Sequence, residues 1–111
     1  MARGFGGVPG NMQAMLKQAQ KLQEKIQKTR EEAENLTAEG TAGGGVVKVV
    51  ASGRNLIESV EIAPEAVNPD DVEMLQDLVL AAANSALQGV QDKVKAEMEK
   101  VAGGMNIPGL F

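Results

Sequence analysis

The stretch Asn11–Leu36, NMQAMLKQAQKLQEKIQKTREEAENL, decides how this chain folds. Its Met12, Met15, Ala19, Leu22, Ile26, Thr29, Ala33 and Leu36 recur at alternating spacings of three and four, with Thr29 the only polar member. That is the a/d pattern of a helix that packs along a partner helix. Asn11 is placed to cap it. A helix of about 25 residues runs roughly 37 Å at 1.5 Å per residue, more than one small core covers. The excess seam implies self-association, with Met15, Ala19, Leu22 and Ile26 as the expected dimer interface.

Upstream, Met1–Gly10 holds four glycines and Pro9 and reads as a flexible N-terminal arm. Downstream, strand signals begin with a weak edge candidate at 36–41, followed by the turn Gly43-Gly44-Gly45. Val46–Ser52 is β-branched and apolar apart from Lys48, and Gly53-Arg54-Asn55 supplies turn chemistry before Leu56–Ala63. In that last run Leu56, Glu58, Val60 and Ile62 share one face and Ile57, Ser59 and Glu61 the other, an imperfect alternation. Asn68-Pro69-Asp70-Asp71 then announces a second helix, with Asn68 as cap, Pro69 in the first turn and two acids facing the helix dipole. An apolar stripe from Val72 to Val101 carries the helix to Gly103-Gly104, which should end it, leaving 103–111 as a flexible tail. The fold class is therefore α+β: a long N-terminal helix, a three-stranded antiparallel sheet and a long C-terminal helix in one domain, 1–111.

Composition narrows the chemistry. The 111 residues include no Cys, His, Trp or Tyr. Zinc sites of the usual kind, Ser-His and Cys-His nucleophiles and imidazole bases are excluded, and no disulfide can form. No carboxylate spacing marks an acid/base pair, so no catalytic residue, metal or cofactor is expected. Asp70, Asp71, Glu73 and Asp77 are read as capping and dipole-compensating groups rather than a cation site. Gly43–Gly45 lacks the Lys-Ser/Thr and the following helix that a phosphate-binding loop requires. With no signal-peptide run and no stretch of roughly 18 apolar residues, the expected location is the cytoplasm, with no membrane partner and no small-molecule substrate.

The formal net charge is −4, yet residues 1–30 carry Arg3, Lys17, Lys21, Lys25, Lys28 and Arg30 against Glu24 alone. This asymmetry suggests a basic arm on an acidic body. At 100° per residue, Lys21, Lys25 and Lys28 lie about 40°, 80° and 20° from Lys17, and the apolar seam centres about 140° away. One helix can thus bury its seam and present lysines outward. Those four lysines, with Arg30 and Arg3, are the candidate contacts to an anionic polymer. The only aromatics are Phe5 and Phe111, so base stacking on single strands is disfavoured. Lysine contact to phosphate positions a protein without reading sequence.

The order of elements, the Met/Gln/Lys-rich segment Asn11–Lys28, the run Glu39–Gly45 entering Val47-Lys48-Val49, the segment Asp70–Ala83 (DDVEMLQDLVLAAA) and the ending Gly104–Phe111 (GMNIPGLF) resemble the YbaB/EbfC family of bacterial nucleoid-associated proteins. That resemblance implies an α-β-β-β-α chain, a tweezer-like homodimer, binding to double-stranded DNA with limited sequence preference in the nucleoid, an altered DNA conformation with effects on gene expression, and no enzymatic activity. The competing reading is a protein-interaction adaptor that grips its partner with long helices and apolar tails.

Overall fold

Proline fits the first turn of a helix, where its missing N–H would find no partner in any case and its fixed φ is already helical. Accordingly α1 spans Pro9–Glu34, opening two residues before the expected Asn11 cap. The computed structural model describes residues 9–105, so the expectations for Met1–Val8 and Asn106–Phe111 lie outside the described residues. The last turn of α1 tightens through Asn35 N–H donating to the Glu32 carbonyl (3.1 Å) and Leu36 N–H to that of Ala33 (3.1 Å).

Three six-residue strands follow: β1 (Thr37–Ala42), β2 (Val47–Ser52) and β3 (Ile57–Ile62), antiparallel and in sheet order β1-β2-β3. The first connection needs glycine, because Gly43, Gly44 and Gly45 have φ of 64°, 74° and 98°. In the second, Asn55 takes φ 63°, its N–H donating to the Ser52 carbonyl at 2.9 Å. A bulge near Val50/Ala51 pairs Val50 with Ser59 but Ala51 with Ile57. It brings Ile57 to the same side as Val60 and Ile62, which explains the imperfect alternation in the sequence.

The second helix, α2, spans Val72–Met105 and differs from expectation at both ends. Asn68 does not cap it. Its Oδ1 accepts from Asp70 N–H at 3.0 Å in a turn ahead of the helix, and Asp71 is the cap, its Oδ1 accepting from Met74 N–H at 3.2 Å. Pro69 therefore lies in that turn, outside the helix. At the far end α2 continues through Gly103 and Gly104, since helical glycine costs only about 1 kcal/mol and nothing there forces a left-handed turn.

The core lies between α2 and one face of the sheet. Val47, Val49 and Ala51 of β2 and Ala82, Ala86 and Val90 of α2 are fully buried, with Ala38 beside them. Small residues set the spacing. A Cβ on Gly40 would overlap the Ala82 carbonyl oxygen and the Ala86 nitrogen, so helix and strand backbones touch there.

The path of α2 positions everything else. Ala82 and Ala86 lie at Gly40, Gly89 at Ala38, and Lys93 Nζ donates to the Thr37 carbonyl at 2.7 Å. Val94 and Met98 then share a cleft with Arg30, Ala33 and Glu34. The helix thus runs antiparallel to β1 and then, without a break, antiparallel to α1. The radius of gyration is 23.0 Å and the longest extent 84 Å, against about 13 Å for a compact chain of this length. A sheet-bearing head and a two-helix arm account for the difference. None of the helices among the described residues is long and apolar enough to cross a membrane.

Candidate nucleic-acid interface

The arm owes its two faces to the sequence period. Ala33 is buried and Leu22, Ile26 and Thr29 are half-buried, while Val101 of α2 is buried in turn. Lys17, Lys21, Lys25 and Lys28 are all exposed. From Leu22 to Ala33 the seam therefore divides the helix as its spacing requires, apolar residues toward α2 and lysines to solvent. The stripe spans about 16 Å of axis, enough to meet several phosphates spaced about 3.4 Å along one strand.

The six candidate cations do not all come together. Arg30 is exposed but lines the cleft between α1 and α2, about 140° around the helix from Lys17. It lies off the line of the stripe and shares a shallow groove with Lys28 alone of the four lysines. Arg3 lies outside the described residues. Of the seam residues, Leu22 and Ile26 are half-buried within the chain, whereas Met15 is 67% exposed and Ala19 exposed as well.

Pairing separates the stripe from Lys48, Arg54 and Lys100. On the outer face of the sheet Lys48 lies 3.4 Å from Glu39 and 3.6 Å from Glu61, one acid on each neighbouring strand. The Glu39 hydrogen bond and charge, then the Glu61 charge, hold the Lys48 ammonium above the usual lysine pKa. Arg54 reaches Glu34 at 3.6 Å and Lys100 reaches Glu97 at 3.1 Å. Among the described residues no salt bridge engages Lys17, Lys21, Lys25 or Lys28. Four lysines without a salt bridge are thus aligned on one exposed helix; among the described residues Arg30 and, on α2, Lys93 and Lys95 form none either. The acids Glu65, Asp70, Asp71, Glu73 and Asp77 belong to the head and the N-terminal part of α2, whereas Glu58 lies beside Glu34 at the root of the arm and Glu24 and Glu31 share a groove of α1 with Lys28.

Sequence reasoning did not find the Arg54–Glu34 pair, which depends on the β2–β3 turn folding back onto the root of the arm. Gly53 is the signal: its N–H donates to the Leu36 carbonyl at 2.8 Å, and a Cβ there would overlap the Ala33 carbonyl oxygen. Only glycine lets the turn seat against the arm so closely. No group of three or more potential metal-ligating side chains occurs among the described residues.

A three-stranded sheet backed by one long helix and carrying an arm with an exposed lysine stripe defines a small α+β protein. The family model described as the YbaB/EbfC DNA-binding family matches residues 9–105, and the chain belongs to that family. It is 57% identical over 102 residues to a nucleoid-associated protein of Pelotomaculum thermopropionicum, covering 92% of this chain and 97% of the relative. It is 61% identical over 102 residues to a nucleoid-associated protein of Desulforamulus reducens, with the same coverage. Among solved structures, uncharacterized protein HP0035 from Helicobacter pylori matches with a TM-score of 0.56 at 19% identity, over 70% of this chain and 90% of that one, a likeness of fold alone.

Proposed function

We propose that this chain is a non-enzymatic, nucleoid-associated protein of the cytoplasm that works as a homodimer, holds duplex DNA by its phosphates and changes the path of the bound DNA, with consequences for gene expression. The observation that carries the reading is the stripe Lys17–Lys21–Lys25–Lys28: exposed, without acidic partners among the described residues, and mounted on a projecting helix. Family membership supports the same reading. Low sequence specificity follows from chemistry, since lysine–phosphate contacts carry no base information and the described residues hold no aromatic platform for stacking. The acidic head repels the polyanion and confines it to the arm.

A homodimer is supported by apolar surface left open on the head. β3 is an edge strand whose Ile57, Val60 and Ile62 face the side of the sheet where α2 packs, yet α2 covers β1 and β2 instead. With Val67, Val72 and Leu80 they are 39–61% exposed. An unpaired strand edge beside a run of exposed apolar side chains is the usual mark of a protein–protein contact. This face carries the dimer contact better than the first-helix seam does, because Leu22 and Ile26 are engaged within the chain. Two lysine stripes in a dimer would engage DNA at two points.

The test is a mobility shift of plain duplex DNA across a salt series, with light scattering of the free protein. The reading expects affinity to fall steeply with salt, log K dropping by about 0.9 per phosphate neutralised, and a mass of twice 11.6 kDa. Salt-independent binding, or a monomer at micromolar concentration, would overturn it.

A further inference from the structure

The apolar seam of α1 is half-buried or buried from Leu22 to Ala33, yet it continues in the open toward the start of the helix. Every residue from Asn11 to Lys21 is exposed, Met12 at 53%, Met15 at 67% and Leu16 at 59%. At 100° per residue Met12, Met15, Leu16 and Ala19 fall within about 50° of one line along the helix. Their spacing continues the period by which Leu22, Ile26 and Ala33 pack beside a helix, so the open stretch is shaped for a helix too.

Charge and geometry select that helix. The two charged residues between Asn11 and Gln23, Lys17 and Lys21, stand about 150° and 170° from the line, and its rim is Asn11, Gln18 and Gln20. When identical faces meet across a two-fold axis, a rim of one sign repels itself, whereas a neutral rim does not. The direction of pairing is set by α2. In a parallel pair the two α2 helices, each packed against its own α1 near Ala33, would have to share one space. In an antiparallel pair with the axis between Met15 and Leu16, Met12 of one copy lies against Ala19 of the other, a long side chain over a small one. Pro9, the first residue of α1, then falls level with Leu22, the first half-buried residue of the seam.

We propose that the outer end of α1 pairs antiparallel with the same segment of a second copy through Met12, Met15, Leu16 and Ala19. Each molecule is 84 Å long, so the heads lie at opposite ends of such a pair. Copies joined at their heads cannot also be joined in this way, and the contact links one head-joined dimer to the next. It engages four apolar side chains a side, against about 20–30 residues a side in a stable complex. The contact is therefore weak in free solution and takes effect where copies are held close together, as along one duplex. The pairing itself is independent of DNA binding, and its effect along DNA rests on the function proposed above.

A cysteine-free chain allows a direct test. Met12→Cys and Ala19→Cys proteins, mixed in equal amounts under mild oxidation, should form the mixed interchain disulfide at least about tenfold faster than either forms its own, because only the mixed pair is held together. Ala14→Cys, on the lysine side of the helix, sets the rate of random collision. Adding Met15→Gln and Leu16→Gln to both chains should bring the mixed rate down to that level, and Gln sustains a helix about as well as Leu or Met. Homodisulfides formed as fast as the mixed product, or a mixed rate no higher than that of Ala14→Cys, would overturn the proposal. On DNA, Met15→Gln with Leu16→Gln should leave affinity for a duplex that holds one dimer unchanged and abolish cooperative binding to a long one. Parent-like cooperativity in that variant would overturn the linking of dimers. A parent that binds neither duplex would refute the DNA reading instead, and the cysteine rates would still decide the contact.

Discussion

Gly53→Ala should loosen the arm from the head, and the size of the effect follows from the geometry. The new Cβ would overlap the Ala33 carbonyl oxygen and stand 2.8 Å from the carbonyl carbon and 3.2 Å from the Glu34 Cα. Carbon atoms rest at about 3.5–4.0 Å, so the turn must retreat by at least about 0.7 Å. No flexible side chain can yield in its place, because every one of these atoms is backbone. Overpacking of this kind costs about 1–3 kcal/mol. The retreat also strains the 2.8 Å hydrogen bond from Gly53 N–H to the Leu36 carbonyl, worth about 1 kcal/mol. At about 4 °C per kcal/mol for a domain of this size, Tm should fall by roughly 10 °C. Calorimetry of the parent and variant measures this. Duplex affinity should also weaken, since the two arms of a dimer would no longer be held at a fixed angle. An unchanged Tm would refute the claim that the turn is seated against the root of α1.

Other perturbations separate the remaining parts of the account. Gly103→Ala meets open space inside a helix, so it should stabilise by up to about 1 kcal/mol and raise helicity by circular dichroism, whereas a loss of stability would show that α2 ends before this residue. Val60→Asp on the open face of β3 should yield a folded monomer in light scattering, because a dimer interface closing there would bury an unpaired carboxylate. A dimer that survives Val60→Asp would exclude that face. For Lys48, a folded-state pKa above the ordinary value means a contribution present below the unfolded pKa and lost as pH rises through the raised one. The stability gap between parent and Lys48→Met should therefore be open at neutral pH and close in strong base, as followed by denaturant titration.

Much of this architecture was legible because period and punctuation carry it. The three-and-four spacing of Met12 to Ala33 marks a helix longer than its core, and Val47-Lys48-Val49 and Gly43–Gly45 mark a strand and its turn. The element ends were less legible, for physical reasons. Asn68 and Asp71 are both good caps, and only the hydrogen bond from Met74 N–H to Asp71 shows which one is used. Gly103 and Gly104 punctuate a helix only if a left-handed turn follows. The pairing of Lys48 with two acids and the seat of Gly53 on Ala33 depend on strand register and on the fold-back of a turn, and neither leaves a periodic trace. The lysine stripe was legible as a stripe. Its freedom from acidic partners among the described residues was not, since that required knowing where Glu34, Glu39, Glu61 and Glu97 point.

The most direct test of the central claim is a duplex mobility shift with Lys21→Glu, Lys25→Glu and Lys28→Glu combined in one chain. These side chains lie on the solvent side of α1, surface changes of this type alter stability by about 0.5 kcal/mol each, and Glu propagates helix about as well as Lys. Helicity, Tm and mass should therefore stay near those of the parent. The three reversals turn an attractive face against phosphate, and the account predicts no shift at protein concentrations that fully retard DNA with the parent. A folded triple variant that shifts duplex DNA as the parent does would contradict it, leaving the stripe a solvated helix face and the adaptor reading the better one.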